Sequence, residues 1–168
     1  MSETRTGNNL QKRTATMKAS AAVLCVAAWI VVAVTQLVIS FGLPDKVIAF
    51  GVDISHSSDM LLVKQALYIA CGLALAVAAF VRKQWRFPLV IVSSLFYLLH
   101  WFPWRLIGSY GLTATVESIY VIGSIPGLRI TSSIRDVALP ITFAAVIAMA
   151  TVERRRHSAS QECPHEID

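Results

Sequence analysis

The residues of this chain able to do chemistry are polar side chains set inside long apolar stretches. Gln36 and Ser40 stand one helical turn apart in the first stretch, and Lys64, Gln65 and Tyr68 lie near the start of the second. Ser93, Tyr97, His100 and Trp104 run through the third at spacings of 4, 3 and 4, which is one face of a helix. A phenol or imidazole in an apolar medium needs a hydrogen-bond partner, and an ionisable group within a membrane span is a functional hypothesis by default. If these faces converge, they line a polar pocket at one end of a bundle, with Arg105 and Glu117 at its mouth. The candidate ligand-binding set is therefore His100, Tyr97, Tyr68, Gln36, Arg105 and Glu117. The plainer alternative is hydrogen bonding between helices, at about 0.6 kcal/mol per contact. Lys64, near a helix end, would simply reach up to the headgroups.

Other chemistry finds little support. Asp53, His56 and Asp59 have ligand types that suit zinc, iron or manganese. A spacing of three on a loop fixes no coordination geometry, and Ser57-Ser58-Asp59 already reads as a helix start with an acid in its first turn. Haem held by His56 and His100 lacks a matched partner stripe. His157, Cys163 and His165 match no metal-ligand framework. There is no Ser-His-Asp order, no Gly-rich phosphate loop and no pair of acids within a span. No catalytic residue, metal ligand or cofactor is named by this sequence.

The elements that would position these residues are four apolar stretches, at 19–43, 60–81, 87–107 and 134–152. Crossing ~30 Å of hydrocarbon takes about 20 mostly apolar residues. The chain has 168 residues, 55% of them hydrophobic, and a mean hydropathy of +0.61. The fold class expected is all-α: an integral membrane four-helix bundle with a long outer loop between the third and fourth helices. A flexible arm, 1–18, would precede the 19–152 membrane domain, and a flexible tail, 153–168, would follow it. The first stretch is too long for a signal-peptide core and is expected to be retained. The layout is similar to that of small four-helix membrane families such as the DoxX-like proteins, in helix count and in the run Lys64, Arg82-Lys83, Arg105. That likeness implies no site residue.

Charge sets the expected orientation. Ten basic residues fall on the arm, the second connection and the tail: Arg5, Lys12, Arg13, Lys18, Arg82, Lys83, Arg86, Arg154, Arg155 and Arg156. Five fall on the other side: Lys46, Lys64, Arg105, Arg129 and Arg135. Cytoplasmic segments carry the Lys/Arg excess, so both termini of this cell-membrane protein should be cytoplasmic. The same reasoning takes the net charge of +5 as orientation, not nucleic-acid binding. A fifth span over 106–125 would put Glu117 in lipid and Arg154–Arg156 outside; residues 113–122 are expected instead as a short helix at the outer interface.

Packing in lipid relies on small residues. Ala70, Ala74 and Ala78 recur every four positions in the second stretch, with Gly72 and Ala76 as a second pair, and Ala144 and Ala148 in the fourth. Pro103 should kink the third helix or unwind its last turn and free the carbonyl of Leu99, and Pro140 should bend the fourth. Cys25, Cys71 and Cys163 form no Cys-x-x-Cys pair, which argues against disulfide oxidoreductases. The expected partners are the bilayer, other membrane subunits or a second copy, and a small hydrophobic or lipid ligand. The function expected is a non-enzymatic membrane-complex component or binder of such a ligand. Its rivals are an outer-interface enzyme using His100 as acid or base with Arg105 holding an anionic headgroup, and a protomer of an oligomeric transporter.

Overall fold

The computed structural model describes residues 20–43, 48–49, 52–53 and 59–161, with 20, 48–49, 52–53, 59–62, 102, 105 and 159–161 described in their backbone alone. The arm at 1–18, His56, Cys163 and His165 lie outside the described residues, as do the side chains of Asp53 and Asp59. The order is α1 (Ser20–Gly42), β1 (Ile48–Ala49), β2 (Val52–Asp53), α2 (Asp59–Val81), a 3-10 turn (Lys83–Trp85), α3 (Arg86–His100), α4 (Phe102–Ser124), α5 (Arg129–Ser133), a π-helical turn (Ile134–Ala138) and α6 (Leu139–Gln161). β1 and β2 pair antiparallel, Ile48 opposite Asp53. Apart from Leu43, Arg82, Trp101 and a turn at 125–128, the rest of the described chain is helical.

Three segments are long and apolar enough to cross a membrane: Ala21–Gly42, Val63–Val81 and Arg129–Ser158. Their surfaces fit that reading. Val34, Leu37 and Phe41 on α1, Leu67 on α2, and Ile141 on α6 are all exposed. Alanines and one Trp–Phe pair are buried between the helices: Ala28, Ala76, Ala79, Ala150, Trp29 and Phe143. An arrangement with small residues inside and large apolar ones outside is poor in water and natural in lipid, where close backbone approach does the work of burial.

α1, α2, α3 and the α5–α6 run alternate in direction. Trp29 meets Tyr68 and Phe143, Leu128 lies against Gly42, and the rings of Phe87 and His157 are 5.5 Å apart. One end of the bundle therefore holds Gly42, His100 and Leu128, and the other holds Ser20, Val81, Arg86 and His157. α4 begins and ends at the Gly42 end. It also packs against β1, α5 and the π turn.

The structure corrects four expectations. The third stretch is not one helix over 87–107. α3 stops after 15 residues, and Trp101 is extended (φ −56°, ψ 131°). Pro103 then stands in the first turn of α4, where its missing N–H costs nothing. The segment expected as a long loop, 108–133, is mostly the second part of α4 and α5, with a break at Gly111, whose φ of 88° suits glycine. The last long helix begins at Arg129, before 134, and carries a π turn just ahead of Pro140. Finally, α6 runs on to Gln161 through the segment expected as a flexible tail, with His157 packed on Phe87.

Candidate functional site

Trp29 is the hub of the interior. It is fully buried, and the rings of Tyr68, Phe96, Tyr97 and Phe143 surround it at 5.4, 6.4, 5.9 and 5.5 Å, three of them edge-on. Its indole Nε1 donates to Ser93 Oγ at 2.7 Å, and Ser93 Oγ donates to the Gly72 carbonyl at 2.9 Å. One relay thus ties α1, α3 and α2 together at mid-depth. Cys25 Sγ lies 3.8 Å from Ser93 Oγ and 3.7 Å from Ser94 Oγ, so this cysteine is a buried part of the same seam.

Gly72 is buried because a Cβ there would run into the Trp29 ring. Ala76 and Ala79 share its buried face, whereas Ala70 and Ala74 are exposed. Of the two small-residue stripes in α2, the glycine-bearing one faces the bundle. Ala144 and Ala148 are likewise exposed; Leu139, Phe143, Val146 and Ala150 form the buried face of α6.

Toward the Gly42 end the candidate residues separate. Tyr68, Tyr97 and His100 come together: Tyr68 Oη donates to the Tyr97 carbonyl at 3.4 Å, and the rings of Tyr68 and His100 are 5.2 Å apart. His100 itself is exposed, with Nδ1 at 3.0 Å from the Phe96 carbonyl of its own helix. Gln36 bonds within α1, its Nε2 at 3.4 Å from Ser40 Oγ. Glu117 sits on α4 beside a shallow groove of about 480 Å³ lined by Leu112, Thr113, Val116 and Tyr120. Tyr68, Tyr97, His100 and Gln36 do not line that groove. One Glu117 oxygen, Oε2, is buried with no hydrogen-bond partner among the described residues.

The sequence reading missed the most polar spot of the interior. Arg135 and Asp136 are 8% and 6% exposed, inside the Arg129–Ser158 segment. Asp136 Oδ1 accepts from Arg135 Nε at 2.7 Å, and Oδ2 accepts from an Arg135 terminal nitrogen and from Ser132 Oγ, each at 2.9 Å. The fork of the guanidinium thus matches the carboxylate at both oxygens, and Ser132, one turn back, completes it.

The π turn explains the neighbouring contact. The Leu139 N–H bonds back to the Ile134 carbonyl, and Pro140 has no N–H to give. The Arg135 carbonyl is thereby released from the helix ladder, and the Tyr97 hydroxyl donates to it at 3.2 Å. Tyr97 also stacks on Phe143 with ring centres 4.2 Å apart. Tyr97 is therefore a structural link between α3 and the π turn. The sequence carries a signal for the serine contact alone: Ser132 and Asp136 are four apart, the spacing of one helical turn.

Among the described residues no cluster of three or more His, Cys, Asp or Glu side chains is placed to hold a metal ion. Compared with known proteins, the chain matches no family model, no curated protein and no solved structure.

Proposed function

We propose that this chain is a non-enzymatic, four-helix integral membrane protein that binds a small amphipathic ligand at the Gly42 end of its bundle. In this reading α1, α2, α3 and the α5–α6 run cross the bilayer of the cell membrane, with α4 and the β-hairpin outside and both termini in the cytoplasm. α3 is short for a crossing, about 22 Å for its length. Trp85 before it and Trp101 and Trp104 after it extend the match, because aromatic rings sit at headgroup level and small mismatches cost little. Labelling of single cysteines tests the orientation. Gly127→Cys should react from outside and Ser160→Cys only after permeabilisation. The opposite pattern would reverse the topology.

The observation that carries ligand binding is Glu117 Oε2, buried and without a donor among the described residues, next to an apolar groove. A carboxylate oxygen taken from water without a hydrogen bond is costly. A ligand with an apolar body and an amine or hydroxyl head would lay its body on Leu112, Val116 and Tyr120 and give its donor to Glu117. Hydrogen bonds to a charged group are worth about 1.5–3 kcal/mol, so Glu117→Gln should weaken binding roughly 10- to 100-fold. Native mass spectrometry of gently extracted protein reads this directly. Wild type should retain a small molecule that the variant loses. An empty wild type, or equal retention by both proteins, would remove the binding reading. A co-purifying subunit with no retained small molecule would favour a complex component.

The enzyme reading has less to stand on. The described contacts of His100 are the Phe96 carbonyl and the rings of Tyr68 and Phe96. The transporter reading lacks a polar path toward the Val81 end, where Ala21, Ala22, Ala79, Val90 and Ala150 fill the interior.

A further inference from the structure

The outward face of α4 is apolar. After the break at Gly111, Thr115, Ser118 and Ile122 turn inward and are buried. Leu112, Val116 and Tyr120 are left 66%, 59% and 76% exposed. These three stand four residues apart and so form one stripe, about 12 Å from first to last. Small residues inside and large apolar ones outside is the arrangement of the spanning helices too, and it suits lipid better than water.

The inward hydroxyls bond to α4 itself. Thr115 Oγ1 donates to the Gly111 carbonyl at 2.9 Å, and Ser118 Oγ donates to the Thr115 carbonyl at 2.8 Å. A hydroxyl has one proton to give, so neither of them serves Glu117. Glu117 is the single charged residue of the 112–124 stretch, and it lines the groove together with Leu112, Val116 and Tyr120. One carboxylate beside an apolar stripe complements a molecule that is cationic at one end and a hydrocarbon chain along the rest.

Resting on the reading that Glu117 binds a ligand, we infer that this ligand is a lipid of the outer leaflet with a primary-amine headgroup. Its ammonium donates to the Glu117 carboxylate, and an acyl chain lies along Leu112, Val116 and Tyr120. The lipid enters sideways from the bilayer, because the stripe that receives its chain is the exposed side of α4.

The test places the full chain in nanodiscs of equal phosphatidylethanolamine and phosphatidylcholine with identical acyl chains. Native mass spectrometry counts the lipid retained. Wild type should retain phosphatidylethanolamine about ten-fold over phosphatidylcholine, which has no N–H to donate. The dimethylated ethanolamine lipid keeps one N–H and should follow phosphatidylethanolamine. Glu117→Leu should erase the preference and leave phosphatidylcholine retention unchanged. Val116→Asn should lower retention of both lipids and leave their ratio alone. A wild type without preference overturns the inference, and this comparison needs no variant. So does a preference that survives Glu117→Leu, or a Val116→Asn variant that retains as much lipid as wild type. Phosphoethanolamine has the headgroup without the chains; if it competes as well as the whole lipid, the inference also falls. Dodecylamine in detergent separates the two readings. If it binds wild type and not Glu117→Leu while the lipid preference is absent, Glu117 still holds an amphipathic ligand, and only the membrane lipid is ruled out. If neither the amine nor the lipid binds, both readings fall.

Discussion

Replacing Asp136 with Ala should destabilise the fold by about 3–5 kcal/mol, as expected when one partner of a buried ion pair is removed. The variant would leave the Arg135 guanidinium in the interior of the Arg129–Ser158 segment without the carboxylate that it grips through two nitrogens. Ser132 Oγ would lose its acceptor as well. The cost arises from the stranded charge, not from the worth of the pair, because desolvating both ions already offsets much of their attraction. The double variant Arg135→Met, Asp136→Leu should therefore recover most of the loss. Thermal unfolding in detergent or nanodiscs measures both. If Asp136→Ala melts with wild type, or the double variant is as unstable as the single, the pair is not a buried ion pair in the working protein.

That pair also shows where the sequence stopped being readable. Arg135 and Asp136 are adjacent and lie at the edge of an apolar stretch, where charges ordinarily mark the end of a span. Their burial depends on the helix starting earlier, at Arg129, and on a π turn that rotates both inward. Neither is written in the hydropathy. The third helix departs from its sequence pattern for a related reason. Ser93 and Tyr97 do share a buried face, but the helix ends at His100, so Trp104 does not continue their stripe. Pro103 follows an unwound turn at Trp101, one of the two outcomes its position predicts, and also opens α4. The long apolar stretches were legible because lipid demands length and composition. The small residues of α2 were legible as a pattern and not as a face. Stripes through Ala70–Ala74 and Gly72–Ala76 differ by two positions, which places them on opposite sides of a helix. What chooses between them is a side chain on another helix.

That side chain is Trp29, and the strongest test of the packing pairs it with Gly72. Trp29→Ala should cost about 3–5 kcal/mol, since it opens a large cavity among four rings and removes the indole donor of Ser93 Oγ. Gly72→Ala alone should also destabilise, by about 1–3 kcal/mol of overpacking, because the added methyl meets the Trp29 ring. Taken by itself that change ought to help, since alanine is favoured over glycine in a helix by about 1 kcal/mol. The sign is set by the ring. In the Trp29→Ala background the methyl has room, so Gly72→Ala should become neutral or stabilising. Ala74→Leu, on the exposed face of α2, should be tolerated in either background. Unfolding of wild type, the two single variants and the double variant gives the coupling between the two sites. If Gly72→Ala has the same effect with and without the indole, α1 and α2 do not meet at this point. The relay from Trp29 through Ser93 to the Gly72 carbonyl would then have to be abandoned with it.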